Sequence, residues 1–288
     1  MAVSEFETAT SVPMIAEASG PTTDFSTPPD LPGNGLVYIA ATPWTPLAAI
    51  GASLLVLAAC AIVIFLATIG ILLISPGGMK AAAASQKLHL NDPLVTQLLM
   101  ATMLLVQLAG TGLLVWLSGW YRGRAVDVLA LHPPISGLKA YAFAVPAFVV
   151  FGFAIGGLME WLWPKVSQAD IQVMLELTHS PAWWLMFIVA VIGAPLSEEL
   201  MFRGFLFSAL ARSRLGLIGT AAVTSLTWAA IHGYSLQGFV TITALGAALS
   251  YILWRTGSTR VTMACHGAYN SLAFLAALLT PLAGTGLS

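Results

Sequence analysis

The sequence predicts an all-α fold, a polytopic membrane helical bundle of about seven transmembrane helices with one interfacial helix. The first observation is composition: hydrophobic residues make up 58% of the 288 residues and charged residues only 8%, whereas soluble domains hold about 25% charged residues. The second is a mean hydropathy of +0.88. The third is a series of seven apolar stretches, most of them near or above the roughly 20 residues that a helix needs to cross the hydrocarbon core.

The predicted spans follow one another with short breaks between them. Turn-forming runs such as Ser75-Pro-Gly-Gly and Asn91-Asp-Pro mark the breaks, because Pro and Gly disfavour the continuation of a helix. The fifth span is the shortest. The seven spans are predicted at Leu47–Ser75, Leu94–Tyr121, Leu138–Trp161, Ala182–Leu210, Leu215–Ile231, Leu236–Trp254 and Val261–Leu282.

Three regions are predicted along the chain. Residues 1–45 are rich in Thr and Pro, carry acidic residues and hold no Lys or Arg, so we expect a disordered tail that buries too little apolar surface to offset its ordering entropy. The tail lacks the basic and apolar segments of a signal peptide, which makes the first span an expected uncleaved insertion signal. Residues 46–180 are predicted to hold the N-terminal transmembrane helices and the interfacial helix, and residues 181–288 a second transmembrane module.

The segment from Val166 to Ser180, between the third and fourth spans, is more polar than the spans. Ser167 followed by Asp170 resembles a capping box, and apolar residues then recur on one helical face. This pattern predicts a short helix packed at the membrane interface. A solvent-exposed loop is the alternative.

Lys and Arg are unevenly distributed over the short loops. Cytoplasmic loops are enriched in these residues, so we expect a cytoplasmic N-terminus, and we expect the protein in the cell (plasma) membrane. The expected partners are the lipid bilayer and a membrane-associated protein or peptide substrate; no basic stripe indicates a nucleic-acid partner. The loops predicted to be cytoplasmic hold Arg122, Arg124, Lys139, Arg212, Arg214, Arg255 and Arg260, and the outer loops hold Lys80, Lys87 and Lys165.

The fourth span contains a cluster of charges that lipid disfavours. Between residues 177 and 211 only Glu198, Glu199 and Arg203 are charged. A charged side chain at the centre of a bilayer costs about 2.5–3.5 kcal/mol on insertion scales, and such residues usually face the protein interior and carry function. The pair of glutamates is therefore a candidate functional site.

The fifth and seventh spans each contribute a polar pair, Trp228 with His232 and His266 with Asn270. A spacing of four residues places both members of a pair on one side of a helix. The adjacent glutamates of the fourth span instead point about 100° apart. We therefore expect the two glutamates to have different neighbours and different roles.

Hydrolysis is the chemistry that these residue types suggest. Glu198 could take a proton from water as a general base, and His232 could share this activation. Arg203, one turn after Glu199, would hold that carboxylate ionised through a charge-assisted hydrogen bond. Glu199 is then an anchor and Glu198 the base.

The remaining motif residues complete this hypothesis. His266 and Asn270 offer donors that could stabilise the oxyanion of a tetrahedral intermediate. We expect the aromatic side chains of Trp228 and Phe202 to contact the substrate. Gly193 and Pro195 precede the glutamates and are expected to loosen or kink the fourth helix.

A divalent metal such as zinc is a competing use of the same side chains. Two histidines and a glutamate suit Zn²⁺, and the ligands would be Glu198, His232 and His266. The HExxH spacing of many zinc peptidases is missing. No cofactor is certain from the residues alone.

Non-peptidase interpretations also remain open. A membrane immunity or regulatory protein could bind a peptide or sensor partner without cleaving it. A proton-coupled transporter would also use acids within the membrane, but we find no repeat between the two halves of the chain, as many transporters have. Single pairs could also be interhelical hydrogen bonds.

Three motifs together resemble those of the CPBP family, the CAAX protease and bacteriocin-processing intramembrane peptidases, also called the Abi family. Residues 198–203 resemble its EExxxR motif, and residues 266–270 resemble its HxxxN motif. Residues 228–232 resemble its FxxxH motif, with Trp in place of the usual Phe. The match covers roughly residues 182–282.

The resemblance implies an all-helical bundle whose catalytic core lies in the last four spans. The family includes the type II CAAX prenyl endopeptidases, which remove the last three residues of prenylated proteins, and has been described both as metal-dependent and as metal-free glutamate peptidases. The roles implied are activation of water by Glu198 with His232, an oxyanion site of His266 with Asn270, and support from Glu199 and Arg203.

Overall fold

A computed structural model describes residues 37–75, 92–120, 123–163 and 167–280. Within these ranges the chain is helical and contains no strand, which confirms the predicted all-α bundle. Six helices are long and apolar enough to cross a membrane, and a shorter apolar helix follows the fourth of them. The helices are α1 (Pro46–Ile74), α2 (Pro93–Trp120), α3 (Ala125–Val128), α4 (Leu138–Leu162), α5 (Ser167–Thr178), α6 (Trp183–Ala211), α7 (Gly216–Ile231), α8 (Leu236–Thr256) and α9 (Thr259–Leu279).

Local sequence signals explain where several helices begin and end. Thr45 caps α1 by accepting a hydrogen bond from the Ala48 N–H, and Pro46 occupies the first helical position, where its missing N–H costs nothing. Ser235 caps α8 in the same way, and Gly257 ends α8 with a left-handed φ of +66°, a conformation that glycine adopts without strain. The predicted span boundaries therefore lie close to the observed ones.

The helix α6 is not a regular α-helix. Two segments, Val189–Gly193 and Leu200–Leu206, have π-helical hydrogen bonding and flank the α-helical turn Ala194–Glu199. Pro195 has no N–H to donate to the carbonyl four residues earlier. The first irregular segment thus ends at Gly193, and Pro195 follows in the next turn, so the irregularity lies where a loosened helix is predicted.

The irregular segment lets α9 approach α6 closely. A Cβ on Gly267 of α9 would lie 3.1 Å from the Val191 carbonyl oxygen, so only glycine fits this contact without displacing its neighbours. On the other side of α9, the Tyr269 ring lies against Gly152 of α4. These close approaches bring α4, α6 and α9 together around one interior.

The bundle core is built mainly from the C-terminal helices. Its largest buried cluster joins apolar residues of α6, such as Leu200 and Phe205, with Trp228 of α7, Leu249 of α8 and Cys265 of α9. The helices α7 and α8 pack side by side, as do α1 with α2 and α4 with α9. The fragmented α6 lies in the middle of this arrangement.

The predicted tail is only partly described. Residues 1–36 lie outside the described residues. In residues 37–45, the N–H groups of Val37 and Tyr38 donate to the Trp254 carbonyl, and the Tyr38 ring packs edge-on against Phe207. This part of the predicted tail therefore contacts the ends of α6 and α8, which composition does not reveal.

The predicted interfacial segment is a helix, α5, rather than a loop. It packs against α6, α8 and α9, with Leu177 and Thr178 buried. The Asp170 carboxylate, expected to cap this helix, instead bonds to Ser235 at the start of α8. The short helix α3 was not predicted.

Candidate active site

Glu199 lies at the centre of a fully buried charged cluster. Its Oε1 atom accepts a hydrogen bond from Arg203 Nη1 at 3.0 Å and lies 3.1 Å from His266 Nδ1. The side chains of Glu199 and Arg203 are both 0% exposed. The 3.0 Å bond confirms the predicted contact between Glu199 and Arg203, which gives each buried charge the partner that it needs. The contact with His266 connects α9 to α6.

The guanidinium of Arg203 is enclosed on two sides. It lies 4.3 Å from the centroid of the Trp228 ring, a cation–π distance. On the α8 side, a Cβ on Gly246 would lie 3.1 Å from Arg203 Nη2 and 3.0 Å from Ser225 Oγ. Glycine at this position therefore makes room for the guanidinium between α6, α7 and α8.

Glu198 has a different environment, as its direction on the helix predicts. Its side chain is partly exposed, and its Oε2 accepts a hydrogen bond from Trp228 Nε1 at 2.6 Å. This bond crosses from α6 to α7 and turns the carboxylate toward the bundle. The two adjacent glutamates thus divide into one that is fully buried in an ion pair and one that reaches a partly open position.

Trp228 joins the polar groups of three helices. The imidazoles of His232 and His266 both meet its indole edge-on, with ring centroids 5.2 Å and 5.4 Å away. His232 Nδ1 lies 2.7 Å from the Trp228 carbonyl oxygen. Because a carbonyl only accepts hydrogen bonds, the neutral imidazole of His232 carries its proton on Nδ1 and presents an acceptor at Nε2.

The same argument assigns the nitrogens of His266. Its Nδ1 faces the Glu199 carboxylate, an acceptor, so Nδ1 carries a proton. His266 Nε2 is then an acceptor in the neutral ring and a donor only when the ring holds both protons. An oxyanion role for His266 therefore requires the doubly protonated ring.

Asn270 is held by the backbone of α6. Its Nδ2 donates to the Ala190 carbonyl at 2.7 Å, within the first π-helical segment. One amide hydrogen is thereby committed to the fold, and the second hydrogen and Oδ1 remain for other contacts. Among the hydrogen bonds of the described residues, none joins Asn270 to Glu198 or to either imidazole.

The two aromatic residues predicted to contact the substrate are both buried. Phe202 is 1% exposed and belongs to the main core cluster, so the structure makes it a core residue. The Phe202 side chain is in the core because every residue of the second π-helical segment is buried. Trp228 is 2% exposed, and its indole N–H is bound to Glu198 rather than directed to an open surface.

The proposed metal ligands are Glu198, His232 and His266. The part of the chain that the structure describes holds no group of three or more His, Cys, Asp or Glu side chains close enough together to bind a metal ion. Glu198 Oε2 is bonded to Trp228, His266 Nδ1 faces Glu199 and His232 Nδ1 faces the Trp228 carbonyl. Glu198 Oε1 and the Nε2 atom of each imidazole are left for other contacts, and metal-binding histidines commonly have their second ring nitrogen bonded in this way, so the use of a metal stays a prediction.

Asp170 is the residue near the site that the sequence does not reveal. Its Oδ1 accepts from the Ser235 N–H at 2.9 Å and its Oδ2 from the Ser235 hydroxyl at 2.5 Å. Tyr234 directly precedes Ser235 in the chain, and its ring centroid lies 5.6 Å from that of His232. Burial, followed by the charges of Glu198 and Asp170, raises the pKa of Tyr234, so both carboxylates act on the same hydroxyl.

Comparison with known proteins shows what part of the chain is similar to a known family. Residues 180–272 match the family described as Rce1-like, type II CAAX prenyl endopeptidase Rce1-like. UPF0177 protein YbdI of Lactococcus lactis subsp. lactis (strain IL1403) is 26% identical over 140 residues, which cover 44% of this chain and 72% of that protein. No solved structure matches the chain significantly.

The apolar helices indicate an integral membrane protein. The match of residues 180–272 to the Rce1-like family confirms the predicted resemblance. This segment includes all six predicted catalytic residues, and α1 to α5 precede it. The roles of the individual side chains stay predictions.

Proposed function

We propose that this protein is an intramembrane endopeptidase that hydrolyses a peptide bond in a hydrophobic or lipid-anchored substrate, either CAAX-like or another peptide. The observation that carries the proposal is the 2.6 Å bond from Trp228 Nε1 to Glu198 Oε2. The same indole contacts the imidazoles of His232 and His266. A carboxylate and two imidazoles gathered on one aromatic ring supply the groups that activation of water needs.

The proposed reaction begins with the partly exposed Glu198. Its Oε1 takes a proton from a water molecule as the water oxygen bonds to the scissile carbonyl carbon, while His232 Nε2 accepts the second hydrogen bond of that water. The carbonyl oxygen becomes an oxyanion. Glu198 then returns the proton to the leaving nitrogen, the carbon–nitrogen bond breaks, and a carboxylic acid and an amine result.

The buried cluster supports this reaction without touching the water. Arg203 neutralises Glu199, and Glu199 fixes the orientation of His266 through Nδ1. His266, with both ring nitrogens protonated, and Asn270 are the proposed donors to the oxyanion, since preorganised donors stabilise the charge that develops in such an intermediate. The bond from Asn270 to Ala190 restricts the direction in which the remaining amide hydrogen points.

Zinc stays a proposal that the assay must test separately. No step above depends on a metal. The cytoplasmic N-terminus is likewise a proposal, supported by the distribution of Lys and Arg in the loops, and the plasma-membrane location also stays a proposal.

The test is a cleavage assay on purified protein in lipid vesicles, with matched fluorogenic peptides that end in a CAAX sequence with and without a prenyl group. Glu198→Gln keeps the size of the side chain and removes the base, so we expect cleavage to fall about 10²- to 10⁴-fold. Glu176→Gln, on α5, is the control and should cleave normally. Each protein is assayed with and without a chelator.

Full cleavage by the Glu198→Gln protein would contradict the assigned base. An absence of cleavage by the unaltered protein, with binding of the peptide retained, would favour the non-catalytic alternative. Loss of cleavage with a chelator and recovery with zinc would establish a metal enzyme.

A further inference from the structure

Asp170 connects α5 to the turn that carries His232. Both oxygens of its carboxylate accept hydrogen bonds from Ser235, one from the backbone and one from the hydroxyl. Bonds to an ionised acceptor are shorter and stronger than neutral ones. Asp170 therefore fixes the position of Ser235 from a helix 65 residues away in the sequence.

Fixing Ser235 also restricts His232, because the turn between them is short. His232 ends α7, Gly233 has a left-handed φ of +65°, and Ser235 caps α8. Only Gly233 and Tyr234 separate the two ends. A displacement of Ser235 would therefore be transmitted to the His232 ring, which packs against Tyr234.

The packing beneath the turn is equally close. A Cβ on Gly238 would lie 2.6 Å from Asp170 Oδ2 and 2.6 Å from the Tyr234 Cβ. The absence of a side chain at Gly238 lets the carboxylate reach Ser235 under the turn. Asp170 is therefore held to this turn both by its hydrogen bonds to Ser235 and by close packing at Gly238.

We propose that Asp170 is a positioning residue, which holds the His232–Ser235 turn so that His232 faces the same water as Glu198. The inference rests on the proposed peptidase function. Asp170 precedes the matched segment 180–272, so α5 would contribute to a site that the matched domain does not complete by itself.

An Asp170→Ala variant can keep α5 in place, because other contacts hold this helix. Leu177 and Thr178 are buried at its end, and α5 packs against α6, α8 and α9. Asp170→Asn retains one oxygen acceptor for the Ser235 N–H and serves as the conservative variant. Glu176→Ala removes a carboxylate of the same helix that bonds to Gln172 and serves as the control.

Two measurements test the inference, the kinetics of peptide cleavage and hydrogen–deuterium exchange of a peptide covering residues 228–240. For Asp170→Ala we expect kcat per folded enzyme to fall about ten- to hundredfold with little change in KM, because misplacing a catalytic group lowers the rate steeply. Exchange in the peptide should rise, because the Ser235 N–H loses its acceptor. Asp170→Asn should recover most of kcat, and Glu176→Ala should match the unaltered protein in both measurements.

Two results would overturn the inference. The first is an Asp170→Ala protein whose exchange rises but whose kcat equals that of Glu176→Ala, which would make the contact merely structural. The second is unchanged exchange in the turn, which would mean that the contact does not restrain it. If the unaltered protein cleaves no peptide, the proposed peptidase function is refuted instead. The exchange measurement would still show whether Asp170 restrains the turn at Ser235, so the two failures can be told apart.

Discussion

The N-terminal and C-terminal long helices of this bundle differ in how much of them is buried. In the most apolar stretches of α1, α2 and α4, 6%, 11% and 17% of the residues are buried, whereas the values for α6, α8 and α9 are 44%, 39% and 33%. The first three helices present mainly apolar surface, such as Leu66 and Phe143. The last three enclose the ion pair of Glu199 and Arg203.

The comparison shows that charged side chains within the membrane are found where neighbouring helices bury them. Lipid offers no partner for a polar group, so a carboxylate needs an interior built by neighbouring helices. Close approach of those helices requires small residues at the contacts, as at Gly246 and Gly267. We therefore expect substitutions in the C-terminal helices to change stability and activity, and matched substitutions in the N-terminal helices to change little.

The largest effect on stability is expected for Glu199→Gln. It leaves Arg203 buried without its ionised partner, and breaking a buried pair costs about 3–5 kcal/mol. The free energy of unfolding in detergent, measured with a denaturant series, should fall by this amount. The control is Glu176→Gln, which alters a carboxylate on α5 outside the buried cluster and should change the value little.

A double substitution sharpens this test. Replacing Arg203 by Met together with Glu199→Gln removes both charges, and we expect part of the lost stability to return, because no unpaired charge stays buried. A Glu199→Gln protein as stable as the Glu176→Gln protein would contradict the buried ion pair.

An intermediate effect is expected for Gly246→Ala. The new methyl group would lie 2.9 Å from the Ser225 Cβ and 3.1 Å from Arg203 Nη2, and overpacking of this kind costs about 1–3 kcal/mol. In α1, Gly70 has no such neighbour within 4 Å, so Gly70→Ala should be neutral or stabilising by about 0.5–1 kcal/mol. The melting temperatures of the two variants are measured side by side. The melting temperature of Gly246→Ala should fall, and that of Gly70→Ala should stay the same or rise. Equal shifts would contradict the difference in packing between the C-terminal and N-terminal helices.

The smallest expected effect is that of Trp228→Phe on cleavage. This substitution keeps an aromatic ring against the histidines and removes the N–H that binds Glu198, so kcat should fall about tenfold, near the lower end of what a hydrogen bond to a charged group contributes. Trp116→Phe, an exposed position on α2, is the control. Equal rates for both variants would show that the bond to Glu198 does not influence the base.

Local patterns in the sequence predict much of this arrangement. The spans follow from apolar length, and the Glu199–Arg203 contact follows from helical spacing, because both residues lie on one helix. The divergence of Glu198 from Glu199 follows from the same geometry. Gly193 and Pro195 likewise indicate where α6 loosens.

Contacts between distant segments are what the sequence does not predict. The bond from Trp228 to Glu198 joins residues 30 apart, and that from Asp170 to Ser235 joins residues 65 apart; both depend on how helices pack. The burial of Phe202 likewise depends on packing, because every residue of the π-helical segment Leu200–Leu206 is buried by its neighbours.

The central claim is that side chains from separate helices act on one water molecule, and a double-mutant cycle between Glu198 and His232 tests it most directly. The cleavage rates of Glu198→Gln, His232→Ala and the double variant are compared with that of the unaltered protein in the same vesicles. If the two residues act as a unit, the second substitution should change the rate less than about threefold once the first is present. Losses that simply multiply would mean that the two residues act independently, and would contradict the account.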